Sequence, residues 1–96
     1  MTLDIATVFA QLPQFLLQSE FVSIDYEQIA SLPRGTIHID GKNCAAAISL
    51  WANGHCDVAF LALNSDHKNN EHYEFTSASA AIETIAEALK TALEYA

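Results

Sequence analysis

Two apolar runs, Cys44–Trp51 and His55–Leu63, are separated by only Ala52-Asn53-Gly54, and that junction constrains the chain more than any other feature. Each run has strand length, and so short a reversal points to an antiparallel hairpin. Loop length decides the register. A two-residue Asn53-Gly54 turn pairs Ala52 with His55 and puts Ile48 and Leu50 on the face of Asp57. A three-residue loop with Gly54 left-handed pairs Trp51 with His55 instead. Cys44, Ala46, Ile48 and Leu50 then share a face with Cys56, Val58, Phe60 and Ala62. The opposite face carries Ala45, Ala47, Ser49, Trp51, Asp57, Ala59, Leu61 and Leu63. A one-residue slip moves every side chain to the other face, so the cleaner sorting selects the three-residue loop. Cys44 is then opposite Ala62 and Cys56 opposite Leu50. That separates the thiols by roughly 20 Å, too far for a disulfide.

The flanking segments complete the pattern. Ile5, Val8, Phe9, Leu12, Phe15 and Leu16 recur at helical spacing from Leu3 to about Gln18. Thr2 is placed to cap this helix, with Asp4 in its first turn. Pro13 predicts a kink or break near Leu12. Phe21–Tyr26 and Thr36–Asp40 alternate as strands, with turns expected at Pro33-Arg34-Gly35 and Gly41-Lys42-Asn43. Asn64–Asn70 is expected as a polar loop and Asn70–Phe75 as a short strand. From about Ala78 to Tyr95 the stripe Ile82, Ile85, Ala86, Leu89 and Leu93 predicts a helix capped by Thr76, Ser77 or Ser79. The expected architecture is α+β: an N-terminal helix, an antiparallel sheet of four to five strands and a C-terminal helix, both helices on one face of the sheet. Its 96 residues suit a single domain, 1–96.

Charge narrows the function classes. Four basic against twelve acidic residues give a net charge of −8. Phosphate contacts need clustered Lys and Arg, so a nucleic-acid binder with a basic surface is excluded, and a polybasic membrane anchor is disfavoured. No apolar stretch has the length of a membrane span, the opening Met1-Thr2-Leu3-Asp4 lacks the basic start of a signal peptide, and two cysteines make no disulfide framework. A cytoplasmic chain with free thiols is expected. Asp66-His67 and Glu71-His72 flank a loop, and His38 and Asp40 approach His72 if their strands are neighbours, but none of these spacings matches a metal motif. No metal, cofactor or catalytic site is expected, since a sheet this small offers little enclosed volume to tune paired carboxylates.

The outward face of the sheet collects Ser23, Asp25, His38, Asp40, Ser49, Trp51, Asp57, His72 and Glu74. An aromatic and aliphatic patch rimmed by carboxylates is typical of protein recognition. The partner-binding residues expected there are Trp51, Asp57, Glu74, His72, Asp40, Asp25 and His55. The alternative partner surface is the acidic side of the last helix, at Glu83, Glu87 and Glu94. Trp51 is also open to use in a homodimer.

The stretch Ile48-Ser49-Leu50-Trp51-Ala52-Asn53-Gly54-His55-Cys56-Asp57-Val58, followed by Glu71-His72-Tyr73-Glu74-Phe75 and a closing helix, resembles the TriTu family of bacterial immunity proteins. The resemblance covers about the last half of the chain, and Ala52 and Ala59 stand where the family pattern is more polar. It implies a non-catalytic cytoplasmic inhibitor that binds a co-encoded toxin domain of a polymorphic toxin system. An acidic chain suits a basic toxin partner. The other reading is an acidic mimic of nucleic acid, of the anti-restriction or anti-CRISPR type.

Overall fold

Asp4 sets the start of the first helix. Its carboxylate accepts from the amide and hydroxyl of Thr7, at 3.5 and 2.9 Å, so Asp4 takes the capping role expected of Thr2. The computed structural model describes residues 2–29 and 31–96, Ile29 by its backbone alone. Helix α1 spans Ile5–Ala10 and α2 spans Gln14–Leu17, the break falling at Pro13. Gln14 Nε2 donates to the carbonyls of Phe9, Ala10 and Leu12 at 3.2, 3.1 and 2.8 Å. One side chain thus satisfies acceptors that the broken helix leaves over.

Five strands follow: β1 Val22–Ile29, β2 Leu32–Asp40, β3 Cys44–Trp51, β4 His55–Ala62 and β5 Lys68–Glu74. They form one antiparallel meander in sequence order. The β3–β4 register is the one read from the sequence: Cys44 faces Ala62 and Leu50 faces Cys56. Gly54 has φ +96°, and a Cβ there would lie 2.4 Å from the Phe75 carbonyl oxygen. Both thiols are free and buried.

The expected turn at Pro33-Arg34-Gly35 is corrected by the structure. All three residues lie in β2, and Ile29 pairs with Leu32 where the chain reverses. Pro33 has no N–H to give a ladder, but its carbonyl accepts from Ala52 N at 3.0 Å. Gly35 sits in the strand because α1 rests on it, and a Cβ would meet Ile5 Cγ2 at 2.6 Å and Phe9 Cε2 at 2.8 Å. The polar loop before β5 is also shorter than expected, since the strand already begins at Lys68.

Helix α3, Ala78–Tyr95, is capped by the Ser77 hydroxyl, which accepts from Ala80 N at 3.1 Å. It buries Ala81, Ile85, Leu89 and Ala92, while Ile82, Ala86 and Leu93 flank that stripe half-buried. Its packing side meets Ile48, Leu50 and Cys56 from the sheet and Val8, Phe9 and Leu12 from the N-terminal segment in one core. Both α1 and α3 cover the same face of the sheet. No helix among the described residues is long and apolar enough to cross a membrane.

Candidate functional site

Strand alternation leaves one face of the sheet without a covering helix, and the register orders it in rows. Asp25, Thr36, Ser49, Asp57 and His72 form one row across the five strands. Glu27, Arg34 and Trp51 form the next, continued by His55 paired with Glu74. Asp40 lies at the far end, opposite Ala45. All seven residues expected to bind a partner therefore share this face: Trp51, Asp57, Glu74, His72, Asp40, Asp25 and His55.

Their surroundings differ. Trp51 is half-buried beneath the Arg34 guanidinium, whose Cζ lies 5.7 Å from the ring centroid. Arg34 is held there by Glu27, 2.6 Å away. Asp25 pairs with His38 at 3.0 Å. Between these groups and exposed Leu61 runs a shallow depression of about 400 Å³, floored by Ala45, Ala47 and Ala59 and rimmed by His38, Asp40 and Lys68. Small side chains on three neighbouring positions open it.

Asp57, His72, His55 and Glu74 converge at the β4–β5 edge. Asp57 pairs directly with His72, and His55 with Glu74, two residues along each strand. The Asn53 side chain accepts from His55 N at 3.1 Å and fixes the start of β4. His72 Nδ1 lies 2.5 Å from Asp57 Oδ1, and its Nε2 lies 3.2 Å from His55 Nδ1. Glu74 Oε1 is 3.7 Å from the same His55 nitrogen. Strand alternation puts these residues on one face but does not by itself join them. The β4–β5 register depends on a loop without a turn signature, so the spacing of His55 and His72 along the chain carries no signal.

The helix-covered side holds a feature the sequence did not reveal. A groove of about 640 Å³ runs between α3 and the β4–β5 edge, open to solvent rather than enclosed. Its floor includes Ile48, Val58 and Phe60, and its rim carries Glu71, Glu83 and Glu87. No Lys or Arg among the described residues lines it. The Tyr73 hydroxyl donates to the Glu71 carboxylate, as does Asn69 Nδ2 at 2.8 Å. These bonds, Tyr73 first, hold the Glu71 carboxyl below its ordinary range, while the Glu71 contact pushes the Tyr73 phenol up. Of the expected helix surface, Glu83 and Glu87 reach this rim and Glu94 does not.

Burial of both cysteines removes them from any surface chemistry. Desolvation, followed by the Asp57 charge, pushes the Cys56 thiol up to about 12. No family model, curated protein or solved structure matches the chain.

Proposed function

We propose that the protein is a binding inhibitor that occludes a basic partner with the uncovered face of its sheet, as an immunity protein does to the toxin domain encoded beside it. The observation that carries this reading is the gathering of Trp51, the alanine-floored depression and the carboxylates Asp25, Asp40, Asp57 and Glu74 on one face. Five strands of about eight residues present roughly 24 by 27 Å, about 650 Å², the larger part of the ~800 Å² that one partner contributes to a stable interface. Trp51 is already held by Arg34, so little side-chain freedom is lost when a partner packs on it. The TriTu resemblance supports a toxin domain as that partner, and the net charge of −8 favours a basic one.

Nucleic-acid mimicry is less well supported. A mimic needs carboxylates spaced as an unbroken series of phosphates. Here Asp25 is paired with His38 and Asp57 with His72, so imidazoles interrupt the negative charge.

Co-expression tests the reading. The C-terminal domain of the adjacent toxin reading frame is expected to arrest growth alone and to be tolerated with this chain, the two purifying as a complex. Association measured by stopped flow is expected to slow steeply with added salt, with little change in dissociation. Continued arrest with no complex would contradict it.

A further inference from the structure

Three side chains at the β4–β5 edge bring metal-ligating atoms close together. The ring nitrogens of His55 and His72 and a carboxylate oxygen of Glu74 all lie within 4.8 Å of one another. In a tetrahedral zinc site, ligands about 2.05 Å from the ion stand about 3.3 Å apart. His55 Nδ1 and His72 Nε2 are 3.2 Å apart, and His55 Nδ1 and Glu74 Oε1 are 3.7 Å apart. Glu74 is exposed, so a small rotation about its side-chain torsions closes the remaining gap.

Asp57 supplies what a zinc-bound histidine ordinarily has behind it. A carboxylate accepts, so the 2.5 Å contact assigns the ring proton of His72 to Nδ1 and leaves Nε2 with a free lone pair. That lone pair points to His55 Nδ1. An ion replaces the proton shared there, His55 carrying its ring proton on Nε2 instead. Carboxylate–histidine–metal relays of this kind fix ring orientation and raise ligand basicity.

We infer that His55, His72 and Glu74 form a binding site for a divalent ion of the zinc class, with Asp57 as the residue that positions His72. Two imidazoles and one carboxylate suit zinc better than magnesium or calcium, which take oxygen ligands. The fourth position faces solvent on the same side of the sheet as Trp51. The inference does not rest on the proposed partner, and it departs from the sequence-based expectation of a metal-free chain.

Calorimetric titration of the full chain with zinc chloride tests it, with NMR of the histidine ring nitrogens as a second readout. One ion per chain is expected, shifting the His55 Nδ1 and His72 Nε2 signals and leaving those of His38 and His67 in place. His55→Ala and His72→Ala are each expected to weaken binding about tenfold or more, and Asp57→Asn by about 10- to 100-fold. Glu74→Gln, isosteric at an exposed position, is expected to weaken it with an unchanged circular dichroism spectrum. Absence of saturable binding would overturn the inference, as would affinity retained in the His55→Ala, His72→Ala double variant or lost only with His67→Ala.

Discussion

The thiol of Cys44 on β3 donates to the carbonyl of Ala92 in the last turn of α3, 3.3 Å away and out of solvent. With Ala96 as the C-cap of a helix that ends at Tyr95, Ala92 lies in the final turn, four residues before the cap. Cys44 thus fastens the end of α3 to the centre of the sheet. Cys44→Ala is expected to cost about 1–2 kcal/mol, from a lost buried hydrogen bond and a small void. Cys44→Ser, which keeps a donor, is expected to lose less. Equal urea midpoints for Cys44→Ala and wild type would contradict this.

Leu89 has no exposed surface and lies in the stripe that packs α3 onto the sheet. Leu89→Ala is expected to destabilise the fold by about 2–5 kcal/mol, a large share of a small domain's stability. Thermal and denaturant unfolding of the variant measure it. An unchanged midpoint would show that α3 does not pack as described.

Gly54 combines a positive φ with the close approach of the Phe75 carbonyl, and Phe75 N donates back to Gly54 O at 2.8 Å. A side chain here meets both backbone strain and a fixed oxygen. Gly54→Ala is expected to cost more than about 1 kcal/mol, against a few tenths for Asn53→Ala beside it. A variant as stable as wild type would mean that β4 and β5 separate readily at this end.

Burial first, and the Asp57 charge second, push the Cys56 thiol up to about 12, from 9.0 for an exposed thiol. A raised folded value means that the unfolded chain loses its proton first. The contribution to stability is whole below about pH 9 and is lost as pH rises toward 12. Cys56→Ala is therefore expected to flatten the alkaline fall of the unfolding midpoint, although it is the less stable protein at neutral pH. Parallel pH profiles for the two would contradict the assignment.

The parts of the fold legible in the sequence are those carried by local pattern. Trp51-Ala52-Asn53-Gly54-His55 sorted eight positions on either side by parity, and the observed β3–β4 pairing follows from it. Pro13 marked the helix break and Ser77 was among the predicted caps. Gly35 reads as part of a turn because its reason for being glycine is Ile5 and Phe9, distant in sequence and visible only once α1 lies on β2. The site was legible to the same extent. Alternation put its seven residues on one face, whereas the convergence of His55, His72 and Glu74 required the β4–β5 register. The groove beside α3 is not legible in the sequence because Lys68 and Asn69 read as loop, so the strand forming its wall has no expected beginning there.

Binding of Trp51→Ala to the adjacent toxin domain is the most direct test that the uncovered face is the working surface. The variant is expected to keep its circular dichroism spectrum and lose about 2 kcal/mol or more of affinity, about a 30-fold rise in Kd. In the same titration, Glu83→Gln with Glu87→Gln on the opposite groove is expected to change the association rate slightly and the dissociation rate not at all. A folded Trp51→Ala protein that binds normally, while the Glu83 and Glu87 pair abolishes binding, would contradict the account and place the partner in the groove.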